Sequence, residues 1–260
     1  VLGIYFTAYN LDYASPDFGT TLNSVTFVFL IITPILTMRI LAEEKRNKTD
    51  QLLFTSPVPI WKIVFGKYLG MVTIYLISVV ITSFYPFILA KYGTVSYPMT
   101  LTAIVGFFFL GCANIAVGLF LSSITESQVI AAVLTFVALF CSFVMNGIES
   151  FFSQTAMASM LAFAVLAVLI AMVVYQMTKD NILTGITGVV LLGAVVIIYI
   201  VKSSLYEGAI QKLLDLLAIA NHFDNFVGGI LDFSGIVYML SVICIFIFLT
   251  VQSIQKRRWS

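Results

Sequence analysis

Charge cuts this chain into long apolar blocks. Between successive Asp, Glu, Lys and Arg residues lie seven uninterrupted runs of at least 21 residues, at 18–38, 68–90, 92–125, 127–148, 150–178, 181–201 and 233–255. Each is long enough to cross a bilayer core of roughly 30 Å as a helix, for which about 20 residues suffice. A backbone in lipid has to satisfy its polar groups within its own segment, so the runs predict helices and not open strands. Continuous apolar character without alternation excludes a porin-type barrel. The predicted fold is all-α, a polytopic transmembrane helical bundle forming one domain over residues 1–260. The opening VLGIYFTAYNL is too short to cross, and we read it as the outer end of a first helix that begins before this sequence. A secretory signal peptide is the poorer reading, because it needs a basic n-region and a small-residue cleavage site. That makes eight spans, seven of them complete.

Composition supports the same solvent. With 61% hydrophobic and 10% charged residues and a mean hydropathy of +1.08, the chain cannot present a soluble surface. Its net charge of +1 excludes a strongly basic nucleic-acid binder. The position of the charges says more than their sum. If the opening half-span starts in the cytoplasm, the inner loops hold Arg39, Lys45, Arg46, Lys48, Lys62, Lys67, Lys179, Lys256, Arg257 and Arg258, ten of the 13 basic residues. Lys91, Lys202 and Lys212 face out. Basic residues prefer the inside, so the reading is a multi-pass protein of the cell membrane with both termini cytoplasmic.

The spans carry little chemistry. None of the seven runs holds an ionisable residue of the kind that ion-coupled transporters keep at mid-membrane. Asn114, Gln128 and Asn146 are the main polar amides, open to two readings: helix-to-helix hydrogen bonding or the lining of a transport path. Gly106, Gly111 and Gly118 point to close helix packing. Cys112, Cys141 and Cys244 lie inside spans in odd number and read as packing residues, neither disulfides nor metal ligands. The lone His222 sits in a segment, 205–232, whose apolar 210, 213, 214 and 217 oppose polar 211, 212 and 215. This predicts an extracytoplasmic amphipathic or re-entrant helix broken at Gly228 and Gly229, with His222 hydrogen-bonded at the interface and Asp224 and Asp232 capping helix starts. No metal site, catalytic triad or zinc helix is legible. Gly66 and Lys67 do not make a phosphate-binding loop, since Trp61 and Tyr68 stand where Gly and Ser or Thr are needed. The chain is not expected to be an enzyme or to hold a cofactor.

One stretch departs from this monotony: RILAEEKRNKTDQLLFTSPVPIWKIVFGK, 39–67. Good helix formers at 41–53 predict a short helix along the inner surface, with Glu43 and Glu44 early and Lys45, Arg46 and Lys48 later, matching the helix dipole. Ser56 as N-cap and Pro57 at the first helical position are expected to start the next helix. A loop that merely binds anionic headgroups has no use for Glu43, Glu44 and Asp50, whereas a protein socket can pair both signs. The segment 39–60 is therefore a candidate docking element for a cytoplasmic partner.

The same residues resemble the segment after the second membrane helix of ABC-2 type transporter permeases, in which Arg39, Glu43, Glu44, Thr49, Leu52, Leu53, Ser56, Pro57, Gly66 and Lys67 fill recurring places. SSITESQVIAAVLTF at 122–136 and the stretch from His222 to Trp259 resemble the branch associated with gliding motility and nitrous-oxide reductase maturation. The resemblance implies a coupling helix seated in a separate ABC ATPase subunit, which would bind the ATP and Mg. The implied ATPase-coupling residues are Arg39, Glu43, Glu44, Lys45, Arg46, Lys48, Thr49, Gln51, Leu52 and Leu53, with Thr125 and Glu126 in a second inner loop. It also implies pairing with a second permease copy or a related permease, surrounded by membrane lipids, and no nucleic-acid partner. Such permeases usually begin with a basic amphipathic helix, which this sequence lacks. The expected function is the membrane subunit of an exporter. The alternative is a scaffold or signalling subunit that recruits a cytoplasmic ATPase without transporting, which predicts no substrate-dependent stimulation of that ATPase. Aromatic residues such as Phe107, Phe136 and Phe140 suit a lipid-like cargo and suit packing against lipid equally.

Overall fold

The computed structural model describes residues 1–13, 15–49, 58–91, 94–149, 155–178 and 181–258. Among these residues all regular structure is helical, and the chain divides into two compact units, Val1–Phe143 with Ile219–Ser260, and Val144–Ala218. Five stretches are long and apolar enough to cross a membrane: Phe18–Arg46, Ile60–Leu89, Tyr97–Ile124, Gln128–Met145 and Phe233–Lys256. Two more helices lie on the predicted runs at 150–178 and 181–201, but their described apolar lengths, Ala156–Val168 and Thr187–Val201, are shorter.

The first unit is built around one helix. In chain order it contains α1 (Leu2–Phe6, continuing as a π-helix over Thr7–Asp12), α2 (Phe18–Val25), α3 (Phe29–Thr37), α4 (Ala42–Arg46), α5 (Ile60–Thr82), α6 (Tyr85–Leu89), α7 (Tyr97–Ile124) and α8 (from Gln128). Helix α7 packs against α2, α3, α4 and α5 and against two helices that return from the C-terminal part of the chain. Water-driven burial cannot hold apolar helices together in lipid, so their association rests on close van der Waals packing. The glycines of α7 provide it. A Cβ at Gly106 would fall 2.5 Å from the Phe226 ring, at Gly111 2.3 Å from the Tyr75 ring, and at Gly118 2.4 Å from Thr37 Oγ1. Two tyrosines stitch α5 to α7: Tyr75 donates to the Phe107 carbonyl at 2.7 Å and Tyr68 to the Cys112 carbonyl at 3.2 Å. The outward face of α5 stays apolar, with Ile74, Ile77 and Ile81 exposed, as a helix bathed in hydrocarbon requires.

Two predicted straight spans are interrupted. The run 18–38 becomes α2 and α3 joined by a 3-10 turn at Thr26–Val28. Here Thr26 Oγ1 donates to the Asn23 carbonyl at 2.6 Å, and Pro34 inside α3 lacks the amide that would close its turn. The run 68–90 breaks at Ser83 and Phe84, because Pro86 cannot donate to the preceding turn. The start of α5 also moves. Ser56 and Pro57 lie outside the described residues, and the helix begins at Ile60 with Pro59 as an extended N-cap. Val58 precedes a proline and is sterically pushed out of the helical region, which delays the start.

The segment 205–232 is not one helix broken at its end. The second unit contains α9 (Ala156–Thr178), α10 (Asn181–Val201) and α11 (Ala209–Leu217), with α10 and α11 both packed on α9. Gln211, assigned to the polar face, is instead buried beside Ile210 and Leu214, while Leu217 is exposed. Burial follows the residues that meet α9, and hydropathy alone does not reveal them. The chain then re-enters the first unit as α12 (Asn221–Val227) and α13 (Phe233–Arg258). Between these two helices Gly229 takes φ +78°, a left-handed conformation, and a Cβ there would fall 2.9 Å from Met99.

His222 is not held as predicted. Its ring stacks on Tyr238, centroids 3.7 Å apart, and its buried Nδ1 has no hydrogen-bond partner among the described residues. Asp224 does not cap a helix but accepts from Asn23 at 3.4 Å, and burial raises its pKa against that bond. Asp232 does cap, accepting from the Ser234 amide at 2.9 Å at the start of α13. The Asn225 amide, donating to Asp232 at 2.8 Å, holds this carboxyl below the usual carboxylate range, with backbone donors adding to it. A depressed folded-state value means that the carboxylate contributes stability above its unfolded pKa of about 3.9 and loses it as pH falls through the lower folded value. Asp232→Ala is therefore expected to melt earlier than wild type at neutral pH, with the gap closing below about pH 4. A gap in detergent melts that stays constant through acid would show the cap to be idle.

Candidate coupling site

The polar stretch begins where α3 ends. Thr37 is pressed against Gly118, and three turn residues lead to Leu41, whose backbone (φ −117°) starts α4 with no capping side chain of its own. The first amides of a helix have no partner within it and need one from elsewhere. The Ser122 hydroxyl, 81 residues away near the end of α7, supplies it. Its Oγ accepts from the Leu41 amide at 3.3 Å and the Ala42 amide at 3.2 Å, and donates to the Met38 carbonyl at 3.3 Å. Ser122, Leu41 and Ala42 are all buried.

Further bonds fix the same helix. Glu44 pairs with Lys67 of α5, and Lys67 also donates to the Ile40 carbonyl at 3.3 Å. Lys45 donates to the Ser123 carbonyl, which also accepts from Ser253 of α13 at 3.4 Å. The far end of α4 closes on itself. The Thr49 amide bonds the Glu44 carbonyl at 3.0 Å and the Lys48 amide the Lys45 carbonyl at 3.2 Å, the double closure of a Schellman motif. It requires a left-handed residue, and Lys48 adopts φ +56°. The acidic residues Glu43 and Glu44 occupy the first turn and Lys45 and Arg46 the last, complementing the helix dipole.

The predicted coupling residues thus divide. Glu44 and Lys45 face the bundle and bond to it, and Glu43 is half-buried. Arg39, Arg46, Lys48 and Thr49 are exposed, Thr49 donating to the Glu44 carbonyl at 3.3 Å. Gln51, Leu52 and Leu53 lie outside the described residues. The loop after α7 comes to the same end of the unit. Thr125, half-buried, accepts from the Ser127 amide at 3.1 Å, Ser127 accepts from the Ile130 amide at 3.5 Å to start α8, and Glu126 is exposed. Ser122, Ser123, Lys67 and Ser253 were not among the residues singled out for coupling. The doublet before ITES was the only sequence signal for the first two.

The three amides are not gathered in this way. Asn114 is buried in α7, ten residues and so about 15 Å above its end, while Gln128 lies beyond that end at the start of α8. Asn114 borders a cavity of about 20 Å³ together with Thr26, Leu110, Leu139 and Ser142. That volume suits a water molecule. The side chain of Asn146 is outside the description. Among the described residues no group of His, Cys, Asp and Glu is placed to hold a metal ion.

A charged elbow is thus bonded to the ends of apolar spanning helices. The profile of the ABC-2 family transporter proteins matches residues 4–257. The chain belongs to the ABC-2 transporter family. Members are membrane permease subunits and not themselves catalytic, so this is a multi-pass membrane permease of an ABC transporter, and the family implies association with an ABC ATPase subunit. No curated protein and no solved structure matches the permease.

Proposed function

We propose that the permease couples ATP hydrolysis by a separate ATPase to substrate export, and that α4 with its flanking residues is the docking element. The observation that carries this is the two-sided character of α4. Glu44 and Lys45 tie one side to α5 and α7, while Arg39, Arg46 and Lys48 remain exposed at the end of the bundle. A helix braced in this way can receive a push and hand it on. The basic residues gathered at this end support a cytoplasmic position, in which α4 meets an acidic rim on the ATPase. ATP-driven closure of two ATPases beneath two permeases would tilt α3, α5 and α7 together and switch access. The kinship to the gliding-motility and nitrous-oxide reductase maturation branch rests on the resemblance of 122–136 and 222–259.

Charge reversal tests docking best at the exposed residues, because changing Glu44 would also release Lys67. Arg39→Glu with Arg46→Glu is expected to leave membrane insertion and the detergent melt unchanged. It should strip the ATP-binding subunit that co-purifies with the wild-type permease, since like charge across an interface opposes association. Retention of that subunit at wild-type stoichiometry and ATPase rate would overturn the reading.

A further inference from the structure

We infer that Ser122 is the joint through which movement of α4 enters the central helix, so that the segments 38–46 and 122–127 move as one piece. This inference rests on α4 being the docking element. The Ser122 hydroxyl serves three backbone groups of the α3–α4 elbow at once, at Leu41, Ala42 and Met38. No side chain of α4's own caps these amides. The next residue of α7 repeats the link in the opposite sense, its carbonyl receiving Lys45 from α4.

A buried hydroxyl with all three hydrogen-bonding positions used is a stiff connection, because rotating it away orphans two amides and a carbonyl together. Sliding of α4 along α7 is thereby prevented, and a load on α4 is delivered to the last turn of α7. The same turn touches α13 through Ser253. Four residues further into α7, Gly118 brings that helix against Thr37 of α3. The joint therefore lies where α7 touches both α3 and α13. Ser122 is a positioning residue: it touches neither nucleotide nor substrate and acts by keeping α4 and α7 in step.

The test uses the permease with its co-purified ATPase in nanodiscs, with hydrogen–deuterium exchange measured with and without ATP. In wild type, ATP should change exchange both at 40–49 and at Leu119–Ile124. Absence of the ATPase, or of any ATP response at 40–49, would tell against the docking role itself and is visible before any variant is compared. Ser122→Ala should keep the ATPase bound and the ATP response at 43–49, while exchange at Leu41 and Ala42, which lose their acceptor, is faster with and without ATP. Its response at Leu119–Ile124 should fall about fivefold, on the scale of losing a helix cap. A wild-type response at Leu119–Ile124 in this variant would overturn the inference. Lys45→Met removes the bond to the Ser123 carbonyl while leaving Ser122 intact. If Ser122→Ala does not fold, Lys45→Met decides alone: a weakened response at Leu119–Ile124 supports the joint, and an unchanged one rejects it.

Discussion

Gly111→Val is expected to abolish recovery of folded permease. The first atom added at this position falls 2.3 Å from the Tyr75 ring, closer than any real Cβ contact. The ring cannot turn aside. Its hydroxyl is bonded to the Phe107 carbonyl at 2.7 Å, its face stacks on Phe108 at 6.0 Å, and Phe29 meets it edge-on. Either α5 and α7 separate or Tyr75 leaves, orphaning its hydroxyl among lipid-facing helices. Overpacking costs about 1–3 kcal/mol where a core can adjust, and more where it cannot. Stability of a whole domain is only about 5–15 kcal/mol, so one such clash at the centre consumes a large share. Gly70→Val provides the control, because that glycine lies on α5 with nothing within 4 Å of an added Cβ. Both variants put a β-branched residue into a helix, so propensity cancels between them. A monodisperse, wild-type elution profile for Gly111→Val would refute the close packing of α5 on α7.

Phe226→Ala should have the next largest effect, about 3–5 kcal/mol on the scale measured for buried aromatic truncations. Phe226 is fully buried in α12, and its ring occupies the space left by two glycines: Cβ atoms there would lie 2.5 Å from it at Gly106 and 2.9 Å at Gly235. It therefore joins α7, α12 and α13, and neither glycine can move inward to fill the gap it leaves. The expected result is a lowered melting temperature together with faster exchange over 221–235, while α4 and its bonds at the other end of α7 stay protected. Equal loss of protection at 42–46 would show that the two ends of the bundle are not independently packed.

These two predictions begin from residues whose types were visible and whose partners were not. Gly106, Gly111 and Gly118 suggested close helix approach by type, since only a missing side chain lets backbones near each other in lipid. That they meet Phe226, Tyr75 and Thr37 is set by the way α7 threads the bundle, and no local periodicity encodes it. The alternation of Glu43 and Glu44 with Lys45 and Arg46 marked a short helix because dipole preference acts within one turn. The internal use of Glu44 and Lys45 was hidden, because Lys67 and Ser123 lie 23 and 78 residues along the chain from them. Pro34, Pro86 and Pro59 were plain in the sequence, but a 21-residue apolar count treats a kinked span and a straight one alike.

From sequence alone came the solvent, the helical class, the spacing of charge that marks one end of the bundle, and the segment worth testing for docking. All of these are properties that each stretch of chain owes to its own composition against a bilayer. Tertiary structure decided which charges of 39–49 face inward, placed Ser122 under α4, stacked His222 on Tyr238 and buried Gln211. Those outcomes depend on which distant residue arrives at a given helix face, and a hydroxyl or an amide carries no mark of the partner that will satisfy it.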